Sequence, residues 1–245
     1  MDIVQPGLDF TIDLADPEKG ASTPNKAVDG PVTSAPFLVK RDEPKASVGA
    51  CGIFSINYWR EYFDVTEQEI VAKVKAAVNP TTNEFEQLIE AKIDLYGPFW
   101  ISTSLVFSMI VAPGFWSIFG STAVFDVTKV GFGFTLIYGA ALTFTFLFYF
   151  MTKFMGLGVP LFRSASVYGY SYTIFILACL VSILNLWILT FVTCMGAGFH
   201  SVLFLLKNFR PTLEKLDATN KLFAIGFIGV LQGFVTLMIF FNYLK

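Results

Sequence analysis

The chain has 245 residues, of which 54% are apolar, 17% aromatic and only 15% charged, against roughly 25% charged in an average soluble domain, and its mean hydropathy is +0.61. A formal net charge of −2 and the lack of a basic patch exclude a nucleic-acid-binding surface, and the odd cysteine count, Cys51, Cys179 and Cys194, excludes a disulfide framework. The composition is that of an integral membrane protein.

Residues 1–50 carry Pro6, Pro17, Pro24, Pro31, Pro36 and Pro44 among scattered polar residues and show no sustained period, which predicts a disordered tail. They lack a basic stretch followed by an apolar one, so the first hydrophobic span is expected to target the chain. Residues 51–93 read as a cytosolic amphipathic helical segment. Its opening, GIFSINYWREYFDV, sets Phe54, Tyr58, Trp59, Tyr62 and Phe63 at helical spacings, an aromatic face that must pack on the protein, meet a partner or lie on a bilayer. Thr66 with Glu69 predicts a capped helix with Ile70, Val71, Val74 and Val78 on one side and a stop at Asn79-Pro80. Thr81 with Glu84 predicts a second capped helix leading to the sequence DLYGPFW.

From Pro98 onward four charge-free intervals follow, 98–125, 130–152, 164–206 and 222–244. The third, about 40 residues at roughly 1.5 Å each, would make a helix near 60 Å, twice a hydrocarbon core of about 30 Å, so it must hold two spans. Asn185 marks the expected hairpin, near 182–186. The expected fold class is all-α: a polytopic bundle of five transmembrane helices, at about 98–119, 130–152, 167–184, 186–206 and 222–244. Lys153, Arg163, Lys207, Arg210, Lys215 and Lys221 gather on one side of the membrane and only Lys129 and Lys245 on the other, which predicts a cytosolic N-terminus and a lumenal C-terminus.

Chemistry is scarce in these spans. His200 is the one ionisable residue inside them, read as a hydrogen-bonded packing residue rather than a proton relay. Cys179 and Cys194 read as small core or lipid-facing residues, and Cys51 as a plain thiol or a palmitoylation site. No motif points to catalysis, a cofactor or a metal. The boundary residues Asp94, Leu95, Tyr96, Gly97, Pro98 and Trp100 suit an interface anchor, with Asp94 hydrated at the membrane surface and Pro98 in the first helical turn. Tyr168, Gly169, Tyr170 and Ser171 repeat the tyrosine-glycine pattern at span three. By the expected topology both patches enter from the same leaflet, so they are expected to pack together.

DLYGPFWI at 94–101, YGYS at 168–171 and YWREYFDV upstream together resemble the Yip family of Ypt/Rab-interacting, five-span Golgi and ER membrane proteins. The resemblance runs from Phe54 to Lys245. It departs from the family at Phe54 and Ile56, where members often have Trp and Phe, and at Leu177, which replaces a proline common in span three and so removes the usual reason for a hinge there. The resemblance implies a non-enzymatic protein of Golgi membranes that cycles with the ER and takes part in vesicle-mediated transport. Its implied partners are Rab-type small GTPases and other Yip-like proteins, as a homo- or hetero-oligomer. Tyr58, Trp59, Tyr62 and Phe63 form the candidate cytosolic contact face. Two other classes stay open: a membrane-shaping protein acting by helix insertion, and a small-solute transporter or channel, which would call for intramembrane charges that the spans hardly supply.

Overall fold

The computed structural model describes residues 56–79, 81–118 and 127–244. Cys51, Phe54 and the 1–50 tail lie outside them. Three short helices come first: α1 (Ile56–Phe63), α2 (Glu67–Val78) and α3 (Glu84–Ala91). Apolar helices follow, α4 (Tyr96–Ile118), α5 (Val127–Phe154), the pair α6 (Leu161–Ser171) and α7 (Thr173–Ser182), α8 (Trp187–Asn208) and, after a single turn α9 (Arg210–Leu213), α10 (Ala218–Ile239), which ends in a wider π turn over Phe240–Leu244. Among the described residues every regular element is helical.

Five of these units are membrane helices. The runs 128–154, 161–182, 187–208 and 218–244 are each long and apolar enough to cross a bilayer, and α4 is apolar from its first turn. Large apolar side chains cover their outer faces, among them Trp187, Phe199, Leu222, Phe223 and Val230, the last 76% exposed. So much uncovered apolar surface is stable only against lipid. The chain is a multi-pass membrane protein.

Span three is the enclosed one. It packs on α4, α5 and α8, while α10 packs on α8 and touches α5. The span is interrupted at Tyr172, without help from a proline at position 177. The hydroxyls of Ser171 and Thr173 bond the carbonyls of Tyr168 and Tyr170 at 2.6 and 2.8 Å, and the Tyr172 N–H turns to Gly169 O at 3.2 Å. Hydroxyls that compete for carbonyls three residues back bend a helix. Tyr172 then donates its phenol to Ile137 O on α5 at 3.1 Å. Cys179 and Cys194 are buried and free, as core residues.

Between α7 and α8 the chain turns over Ile183–Leu186, with Asn185 at φ 54°. Asn tolerates this left-handed conformation because its short polar side chain carries little steric penalty, while most L residues lose roughly 1–2 kcal/mol there. Asn185→Val is therefore expected to lower thermal stability in detergent micelles by about that amount, and Asn185→Gly to leave it unchanged or raised. Equal melting temperatures for the two variants would contradict this account of the turn.

The short helices follow the sequence in part. Thr66 and Glu69 close a reciprocal capping box on α2, at 3.3 and 3.1 Å. Thr81 caps nothing: its hydroxyl and N–H both turn back to Asn79 Oδ1, at 2.6 and 3.2 Å, and Asn83 starts α3 without a side-chain cap. The Asn79 side chain engages Thr81 locally before it can reach the helix. The face of α2 is also displaced. Lys73, Ala76 and Ala77 are buried, whereas Val71 and Val78 stay exposed, because the two small alanines allow close approach to the bundle and Lys73 has a partner inside it.

Candidate functional site

That partner is Asp94. The expectation of a hydrated surface acid is overturned: Asp94 has no exposure to solvent. Its Oδ1 accepts from the Gly97 N–H at 2.9 Å, a bond of the N-cap kind that satisfies an orphan donor at the start of α4. Its Oδ2 pairs with Lys73 Nζ, which also donates to Lys92 O at 2.7 Å. The Tyr170 phenol, from span three, completes the set at 3.3 and 3.4 Å from the two carboxylate oxygens. A buried carboxylate is tolerable only when so paired and bonded.

The backbone around this node is close-packed. A methyl added to Gly97 would overlap the Tyr170 phenol, and one added to Gly169 would overlap the Pro98 ring and come within 2.9 Å of Pro98 Cα. Thus α4 and α6 cross with glycine on each side facing the other motif, which is how small residues let membrane helices approach. Phe85 of α3 sets its ring edge-on to Tyr170 at 5.2 Å and to Phe204 of α8 at 4.7 Å. Each such pair contributes about 0.5–1.5 kcal/mol beyond burial. The Tyr168 ring stacks on Phe144 of α5 at 4.3 Å, and the hydroxyl of Ser171 is spent on the span's bend.

The other motif residues point elsewhere. Tyr96 and Trp100 are exposed on the outer side of α4, with ring centroids 6.1 Å apart, suited to the headgroup region. Leu95 contributes its backbone, donating to Tyr62 O at 3.0 Å, which fastens the end of α1 to the start of α4. Tyr58, Trp59 and Tyr62 surround Phe162 of α6 at 6.3, 5.7 and 4.6 Å. Burial, followed by a hydrogen bond with Tyr58, pushes the Tyr62 phenol up to about 12, so it stays neutral as a packing group. Trp59 and Phe63 keep 37% and 45% of their surface open.

Lys73 and Phe162 escape a sequence reading. The one signal for Lys73 is a cation at helical spacing from the alanine pair of α2; Phe162 carries none. Further contacts bind the short helices to the same end of the bundle: Arg163 with Glu90 at 3.5 Å, Lys207 Nζ donating to Thr82 O at 2.6 Å, and His200 Nε2 donating to Val78 O at 3.0 Å. Since a carbonyl only accepts, Nε2 carries the proton, and His200 is a bonded packing residue. Among the described residues no group of three or more His, Cys, Asp or Glu is placed to hold a metal.

These features, a motif acid, a turning glycine and a second tyrosine-glycine patch locked into one joint between spans one and three, lie within residues 75–240, which match the family model of the Yip1 domain. The chain belongs to the Yip1 family. As a Yip1 protein it is similar to "Protein YIPF1 homolog" of Dictyostelium discoideum, with 28% identity over 183 residues, 73% of this chain and 53% of that relative. The chain spans about half the length of the curated relative it matches. No solved structure matches it. The family span begins beyond α1 and Lys73, so the Yip1 domain holds the acid, Asp94, while its counter-ion comes from just upstream.

Proposed function

We propose that this Yip1-family membrane protein works by binding rather than catalysis, as a component of vesicle-mediated transport in Golgi membranes that cycle with the ER, recruiting Rab-type small GTPases and associating with other Yip-like proteins. The proposed orientation places α1–α3 and the basic ends of the bundle on the cytosolic side and the C-terminus in the lumen. The observation that carries the reading is the division of labour among the motif residues. Asp94, Gly97, Pro98, Gly169 and Tyr170 are consumed in a buried joint, while Trp59 and Phe63 stay presented on α1 next to the exposed Arg60 and Glu61. Part-exposed aromatic residues ringed by charge are the usual anchors of a protein contact.

The experiment is quantitative co-purification from native membranes in mild detergent. Trp59→Ala with Phe63→Ala is expected to reduce recovery of Rab-type GTPases by roughly tenfold or more, as loss of an aromatic hot spot worth about 2 kcal/mol would. Because Trp59 also packs on Phe162, Phe63→Ala alone is the variant expected to lower recovery with the elution profile unchanged. Undiminished recovery would remove α1 from the contact face. A second reading, membrane shaping, is favoured by the same exposed pair on a short amphipathic helix. It requires the purified protein to tubulate vesicles and the double variant to stop doing so.

A further inference from the structure

The helix α2 is inverted in part: Glu67, Gln68 and Lys75 are exposed and Val74 packs on the core, but three positions are reversed. Lys73 is 2% exposed and Ala76 and Ala77 are buried with it, while Val71 and Val78 are 49% and 37% exposed. A helix standing in water turns the other way, charge out and valine in. The depth of its contacts explains the inversion. The last carbonyl of α2, Val78 O, takes the His200 Nε2 hydrogen at 3.0 Å. His200 stands roughly 12 Å along α8 from its Asn208 end, at about 1.5 Å per residue. The 22 residues of α8 make about 33 Å, scarcely more than an apolar core of about 30 Å, so little of the helix projects beyond the bilayer.

The other end of α2 sets the upper limit: Lys73 meets Asp94 and Tyr170 just before the start of α4, where Tyr96 and Trp100 suit the headgroup region, so α2 runs inward from Lys73 to Val78. The chain after α2 then climbs: Thr82 O meets Lys207, in the last turn of α8, and Phe85 packs on Phe204. Phe199 and Leu203, both exposed, share the outer face of α8 beside His200, so the open valines of α2 continue a lipid-facing surface. Lys75, exposed between them, belongs to a helix whose side chains lean toward its N-terminus, the shallow end, and its stem brings the ammonium up to headgroup level.

We propose that α2, Asn79, residues 81–83 and the start of α3 form a re-entrant hairpin within one leaflet, with the Val71 and Val78 edge of α2 covered by lipid acyl chains. This takes into the bilayer part of the 51–93 segment that the sequence alone places in the cytosol. The irregular backbone at the tip is tolerable at that depth because protein side chains, those of His200 and Lys207, bond its carbonyls.

The test is site-directed spin labelling in phosphatidylcholine vesicles. Single labels are placed by Val71→Cys, Val78→Cys, Glu67→Cys and the lipid-facing Val230→Cys in a Cys51→Ser background; the buried Cys179 and Cys194 are retained, and the unlabelled background is the control. Collision with oxygen, which concentrates among acyl chains, is compared with collision with a water-soluble nickel chelate. The expected oxygen-to-nickel ratio at Val78 matches that at Val230 and exceeds that at Glu67 several-fold, with Val71 between. Nickel access at Val71 and Val78 equal to that at Glu67 would place the valine edge in water and overturn the hairpin. Protection from both reagents would mean that protein covers the edge, which overturns it equally. Either valine position carries the readout if the other variant does not fold.

Discussion

Asp94→Ala is expected to lower the stability of the detergent-solubilised protein by about 3–5 kcal/mol, the loss that follows when one member of a buried ion pair is removed and the other is left uncompensated. Lys73 is only 2% exposed; without the carboxylate its ammonium keeps a single acceptor, Lys92 O. The alanine also strips the Gly97 N–H and the Tyr170 phenol of their acceptor. Lys73→Ala should cost a similar amount by the reverse route. The pair Lys73→Met with Asp94→Asn is expected to recover most of the loss, because the amide oxygen can still accept from Gly97 and Tyr170 while no charge remains buried. Thermal melting of the four proteins in one detergent checks the set. Single-variant losses below 1 kcal/mol would show the pair to be solvated and the joint to be held by packing alone.

Gly169→Ala is the second large effect, with about 1–3 kcal/mol lost, the usual range for forcing a methyl into a filled site. The added carbon falls onto the Pro98 ring and 2.9 Å from Pro98 Cα. A flexible side-chain tip can move aside, but a proline in the first turn of a membrane helix yields only if the whole of α4 shifts. Gly139→Ala and Gly226→Ala supply the contrast: an added methyl meets nothing within 4 Å at either position, and both variants should melt with the parent protein. If all three glycines tolerated alanine alike, the close crossing of α4 and α6 would lose its support.

These two expectations bear on how binding data are read. A variant of Asp94 or Gly169 that fails to recover a partner reports the collapse of the joint between spans one and three, since both residues are fully enclosed. Phe63 offers surface that the fold leaves open, whereas Trp59 also packs on Phe162, so a change at Phe63 separates recognition from folding more cleanly. The buried members of the motifs, Asp94, Gly97, Pro98, Gly169 and Tyr170, are thus the wrong place to look for the partner contact by alanine substitution.

The sequence by itself determined the all-helical, five-span class, because lipid cannot satisfy a charged group: long charge-free runs of known rise must cross the bilayer, and length arithmetic splits the longest of them. It also determined the reciprocal cap of α2, a local device closed within four residues, and the family, through short motifs at fixed spacing. Only the tertiary structure decided what those motifs do. Asp94 reads as a hydrated anchor until a lysine from another helix is brought against it, and Val71 and Val78 read with Val74 as the inner face of α2 because amphipathic reasoning assumes water on the outside. Both inferences turned on the solvent and on a partner distant in sequence, and neither is written in the spacing of residues along one helix.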